Sequence, residues 1–123
     1  MNYDTLCDYL DQKLGTRRDM PFGTDALVFK VLNKIFAIVA WQADPLSISL
    51  KSDPVDAVIL RKQYSMVKPG YHLHKKHWNT VTLDGSIPDD VLQEMIDDSY
   101  RLVACGMTRA DRAKLRLLGW KME

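Results

Sequence analysis

Three histidines, His72, His74 and His77, fall in one short stretch that also holds Lys68, Tyr71, Lys75, Lys76 and Trp78. Residues two apart share a face of a strand, so His72 and His74 could both reach a metal ion. His77 would need a bend to join them. Zinc usually takes three or four protein ligands, and no cysteine or acid lies close in sequence. Ligand count therefore argues against a metal site, and no metal or other cofactor is expected. The same stretch suits nucleic acid better. Lysines neutralise phosphates, Tyr71, His72 and Trp78 could stack on unstacked bases, and Asn79 could read a base edge. Tyr71 and Trp78 also suit core positions with a polar tip, and for Trp78 the core is the stronger expectation.

Catalytic patterns are weaker. Cys7 and Cys105 lie far apart, form no metal-type spacing, and occupy apolar positions of helical patterns, where free cysteine packs as a small hydrophobe. Ser65, Ser86 and Ser99 sit in no G-x-S-x-G setting. The acids Asp89 and Asp90 follow Pro88, and placement at a helix N-terminus explains them without paired-carboxylate chemistry. The glycines are scattered and form no phosphate loop. No catalytic residue is expected.

The 123-residue chain carries 17 Lys and Arg against 16 Asp and Glu, a net charge of +1. An electrostatic partner must then be met by a local patch. The charges are distributed in blocks. No acid occurs between Asp56 and Asp84, whereas Asp84 to Asp98 holds acids and no Lys or Arg. From Arg101 to Lys121 the chain is again mostly basic. Such blocks either form a basic surface or neutralise one another across the fold.

The elements that must position these residues follow from periodicity. Tyr3, Leu6, Cys7, Leu10 and Leu14 make a helical stripe over about residues 2–14, with Gly15 as a stop. Thr16 to Asp25 reads as irregular. Ala26–Leu32 and Ile35–Ala40 are β-type runs around Asn33-Lys34, a hairpin signal. Leu46, Ile48 and Leu50 alternate with polar residues as a third strand. Asp53-Pro54 caps and opens a helix whose apolar side is Val55, Val58, Ile59 and Leu60. Pro69-Gly70 breaks the next β-type run, and Trp78 to Leu83 is strand-like. Pro88 opens the strongest helix, which Gly106 ends, and Thr108 with Asp111 starts a last short one. The expectation is a single α+β domain over 1–123, α-β3-α-β2-α, with a mostly antiparallel sheet packed by helices and a short extra C-terminal helix. The longest apolar run, Ile35 to Trp41, is too short for a membrane span, and early acids replace a basic leader. Cytoplasmic residence and no membrane partner are therefore expected.

The run from Lys68-Pro69-Gly70-Tyr71-His72 through His77-Trp78-Asn79-Thr80-Val81, followed by Leu83-Asp84-Gly85 and Pro88, resembles the signature region of the MmcQ/YjbR family. Pro21-Phe22-Gly23, Leu27–Val31 and Ile48–Lys51 match its earlier segments, and the resemblance extends to about Val103. It implies a fold related to the frataxin-like (CyaY-like) and secretion-chaperone-like folds. It also implies DNA binding through a double-wing motif, a role predicted for family members. Position 74 is commonly Asn in that pattern, and a His there weakens a three-histidine metal site. The basic tail from Thr108 lies outside the resemblance.

The leading expectation is a non-enzymatic DNA-binding protein. Its contacts would be Lys68, Tyr71, His72, Lys75, Lys76 and His77, with Arg17 and Arg18 flanking a wing. The alternative is a module that holds a protein or peptide partner. A pocket around His72, His77 and Trp78 would be needed for a small-molecule site. The oligomeric state is left open.

Overall fold

A computed structural model describes residues 1–21, 23, 25–70 and 73–121. The chain runs α1 (Tyr3–Asp11), β1 (Thr16–Asp19), β2 (Leu27–Val31), β3 (Lys34–Ala40), β4 (Ser47–Lys51), α2 (Pro54–Gln63), β5 (Val67–Pro69), β6 (Trp78–Thr82), α3 (Asp89–Cys105) and α4 (Arg109–Leu117). The strands form one antiparallel sheet in the order β1-β2-β3-β4-β6-β5. This is the expected α+β arrangement with one strand more, α-β4-α-β2-α plus α4.

The added strand is β1, in the stretch read as irregular. Thr16-Arg17-Arg18-Asp19 has no apolar alternation to reveal it, and three of its four residues are exposed. Pairing with β2 holds it at the sheet edge. The Arg18 guanidinium lies 5.4 Å from the Phe29 ring centroid, a cation–π contact that fastens the edge. α1 is correspondingly shorter than its stripe. Gly15, at φ +73°, turns the chain into β1, and the Tyr100 hydroxyl donates to the Leu14 carbonyl at 2.5 Å. The β2–β3 turn is Leu32-Asn33, one residue earlier than expected, with Leu32 at φ +53°. A two-residue hairpin needs that left-handed conformation at its first turn position.

One sheet face carries the core. Leu27, Phe29, Val39, Ile48, Leu50 and Val81 meet Leu6, Cys7 and Leu10 of α1 and Leu92, Ile96 and Tyr100 of α3. Phe36 and Ala37 are neighbours in sequence yet both fully buried. The register explains this: Phe29 pairs with Ala37 and Lys30 with Ile35, so Phe36 is the extra residue of a bulge. Its ring packs edge-on to Tyr100, centroids 5.3 Å apart.

The bulge also interrupts the next ladder. β3 and β4 pair from Ala40↔Ser47 to Ala37↔Leu50, and the following pair would be Phe36 with Lys51. Ser99 of α3 takes that place. Its hydroxyl donates to the Phe36 carbonyl (2.6 Å) and accepts the Lys51 amide (2.8 Å). A buried serine thus satisfies two backbone groups that the sheet leaves unpaired, and pins α3 to both strands.

The helix ends follow their sequence signals. Asp53 accepts the Val55 amide at 3.0 Å, and Thr108 accepts the Asp111 amide at 3.2 Å. The helix after Asp53 departs from expectation on its faces. Val55, Val58 and Ile59 are exposed, and only Ala57 is buried. α2 rests against β5 and β6 at the sheet edge, and of its expected apolar side only Leu60 packs against the core. No helix among the described residues is long and apolar enough to cross a membrane.

Replacing Ser99 by Ala should leave the Phe36 carbonyl and Lys51 amide unpaired in the interior. We expect a loss of about 2 kcal/mol in urea unfolding, larger than that of Ser86→Ala at an exposed turn.

Candidate nucleic-acid interface

The described residues between β5 and β6 form a hydrogen-bonded basic turn. The Gly70 amide donates to the Trp78 carbonyl (2.9 Å) and closes its neck. Leu73 donates to the Gly70 carbonyl (2.8 Å), and the His77 and Trp78 amides both reach the His74 carbonyl (3.0 Å each). On the α2 side, the Ser52 amide donates to the His77 carbonyl at 2.7 Å. The neck is tight. A Cβ on Gly70 would lie 3.1 Å from Trp78 Cβ and 3.3 Å from its carbonyl oxygen, so glycine permits this close strand approach.

A polar clamp fixes the turn from below. Asn79 on β6 is only 3% exposed. Its amide nitrogen donates to the Ala57 carbonyl at 3.3 Å, and its oxygen accepts Arg61 Nε at 2.6 Å. The same guanidinium donates through its terminal nitrogen to the Lys75 carbonyl. Arg61 therefore ties α2, β6 and the turn together. Asn79 is consumed in the interior and is not available to read a base edge. Arg61 was visible in sequence only as one more cation. Its signal was its place four residues after Ala57, on the helix face that meets β6.

Outside the clamp, Lys68, His74, Lys75 and Lys76 are exposed and His77 is half-buried. The His74 and His77 rings stand 4.8 Å apart. Among the described residues, neither Lys68 nor Lys76 makes an ion pair, and no three metal-type side chains converge. Trp78 is half-buried, not a full core residue. Tyr71 and His72 lie outside the described residues.

Arg17 and Arg18 do not join this group. They sit on β1, at the opposite edge of the sheet from β5, which at about 4.8 Å per strand is roughly 24 Å away. Arg18 is also occupied. Its Nη2 bonds Asp11 Oδ2 at 2.5 Å, and the carboxylate holds its guanidinium more firmly protonated. Arg17 points to the other face and reaches Asn33 at 3.4 Å. Acids of the 84–98 block meet cations from elsewhere in the chain, Lys13 on Asp97 and the N-terminus on Asp89 at 2.9 Å, and Arg101 of the basic tail on Asp98 at 3.8 Å.

Beside the turn, the sheet face away from α1 and α3 holds a concavity of about 590 Å³. Its floor includes Ile38, Ala40, Ser47, Ser49 and Thr80, and Leu73 of the turn forms one wall. Ser49 and Thr80 hydroxyls share a 2.8 Å hydrogen bond. Its described lining carries no acid, base or thiol, so it offers no group for proton transfer or nucleophilic attack.

The YjbR family model matches residues 11–102, which span the sheet, α2, the turn and most of α3. The chain belongs to the YjbR family. Uncharacterized protein YjbR of Escherichia coli K12 is 38% identical over 101 residues, covering 82% of this chain and 86% of the relative. Uncharacterized protein YbdF of Escherichia coli O157:H7 is 38% identical over 96 residues, covering 78% and 79%. The crystal structure of Deinococcus radiodurans protein DR2400, with domain DUF419, superposes with a TM-score of 0.87 at 41% identity, covering 94% of this chain and 88% of that one. A Pseudomonas syringae crystal structure gives 0.72 at 30% identity, covering 84% and 99%. α4 lies beyond the span matched by the family model.

Arg61→Ala should free the Lys75 carbonyl and leave the buried Asn79 oxygen unpaired. We expect a stability loss of about 1–3 kcal/mol. Amide hydrogen exchange at His77 and Trp78 should accelerate more than in the core strands β3 and β4.

Proposed function

We propose that this YjbR-family chain is a non-enzymatic DNA-binding protein that contacts phosphates through the β5–β6 turn. The observation that carries the reading is the exposure of Lys68, His74, Lys75 and Lys76 around one turn, within a stretch that has no acid between Asp56 and Asp84. Lysine contacts to phosphate give sequence-independent affinity that falls with salt. Backbone already held by hydrogen bonds loses less conformational freedom on binding, so the clamp on Lys75 lowers the cost of docking. Leu73 and the adjoining concavity give the turn an apolar flank. Arg17 and Arg18 are left out of the contact set, because they lie across the sheet from the turn and Arg18 is paired with Asp11. The reading keeps the cytoplasmic residence expected from the sequence.

A second reading, a protein-interaction module, is favoured by one observation: α2 exposes Val55, Val58 and Ile59 together. Adjacent apolar side chains on one helix face suit a protein partner better than a phosphate backbone.

Fluorescence anisotropy with duplex DNA at graded salt tests the first reading. Affinity should fall steeply with salt, and the Lys75→Ala/Lys76→Ala double variant should flatten the log–log slope by about two units. Arg17→Ala should leave the slope unchanged. Absence of binding at low salt would refute the proposal.

A further inference from the structure

α2 and α3 lie on the same side of the sheet but do not close on one another. α2 rests on β5 and β6, while α3 rests on β2, β3 and β4. A groove of about 380 Å³ runs between them. Its apolar walls include Ile59, Leu60 and Val91, and its acids are Asp56, Glu94 and Asp98. Val55 and Ile59 on α2 are 67% and 51% exposed. Burial raises the Asp98 carboxyl above the usual range, Arg101 opposes this, and Asp56 and Asp97 add to it. Arg101 is the cation beside these acids, 3.8 Å from Asp98. The groove is thus apolar and acidic, and open.

α4 is its chemical complement. It carries Arg109, Arg112, Lys114 and Arg116 against one acid, Asp111, which pairs with Lys114 at 3.7 Å, and it ends in Leu117 and Leu118, which are 89% and 53% exposed. Among the described residues nothing covers Leu117. The helix is anchored through the buried Leu115, and Leu115, Leu118 and Leu32 all lie within reach of Gly15. That anchors it at the β1–β2 side, whereas α2 lies at the β5–β6 side of the sheet. A chain whose α4 is held there cannot lay it in its own groove.

We infer that two copies of this chain associate reciprocally with α4 anchored in place, each setting its basic, leucine-tipped helix end into the acidic α2–α3 groove of the other. This deepens the protein-interaction reading by naming the partner, and it is independent of DNA binding. The contact pairs two different surfaces, and making it twice about a two-fold axis closes the assembly as a dimer rather than a chain. Opposite charges set the helix direction and favour encounter, while Leu117 supplies the apolar anchor.

Sedimentation velocity of the full chain across a wide concentration range tests this, with two surface variants. Leu117→Asp puts an acid against the acidic groove. Ile59→Lys puts a cation against the basic helix. Both positions are exposed, so neither variant should disturb folding, and circular dichroism checks this. The wild type should show a monomer–dimer equilibrium, and each variant should weaken it by at least about tenfold. Mixing the two variants should restore a heterodimer, because one contact is then wild type on both sides and the other pairs Lys with Asp. A monomer at every concentration overturns the inference, as does a dimer insensitive to either variant or not restored by mixing. A monomer that instead binds a basic amphipathic peptide also overturns it, while leaving the protein-interaction reading in place.

Discussion

A buried amide on β6 decides where α2 and the basic turn can sit. Asn79 is one of two buried polar side chains among the described residues, and leaving its amide unpaired would cost a few kcal/mol. Its partners come from far along the chain, the Ala57 carbonyl and the Arg61 guanidinium. Once α2 is drawn onto the sheet edge to supply them, Arg61 also reaches the Lys75 carbonyl. Ala57 is small enough to allow the close approach. The exposed apolar residues of α2 are a consequence of this geometry. The helix docks by its polar clamp, by Ala57 and by the half-buried Leu60, and Val55, Val58 and Ile59 are left outward.

The other buried polar side chain, Ser99, does comparable work in the core. The bulge at Phe36 turns an extra aromatic inward, and the serine replaces the ladder hydrogen bond that the bulge removes. Ser99 resolves a defect created by an apolar requirement, whereas Asn79 is a buried polar demand that α2 meets. Together they hold α3 to the centre of the sheet and α2 to its edge. The gap between the two helices follows from these two anchor points.

Much of the architecture was legible in local sequence. The stripe of α3, the Asp53-Pro54 start of α2, the Thr108 cap and the alternation of β4 are short-range signals, and each formed as read. β1 was not legible, because its polar residues are held only by pairing with β2 and by the Arg18–Phe29 contact. The outward face of α2 was not legible either, since periodicity gives a stripe but not the surface it meets. For the site, the family signature and the basic turn stood out in sequence, and Lys68, Lys75, Lys76 and His77 do fall around one turn. The places of Asn79 and Arg17 could not be read, because strand order decides them. Sheet order sets Arg17 and Arg18 at the far edge, and cross-strand packing buries Asn79.

The central claim is that the clamped β5–β6 turn is the surface that meets DNA. Backbone amide NMR of the full chain, titrated with a short duplex at low salt, tests it most directly. The account predicts shifts concentrated on residues 68–78 and on Arg61 Nε, reversed by added salt. Shifts centred on the α2–α3 groove or on β1, or none at all, would contradict it.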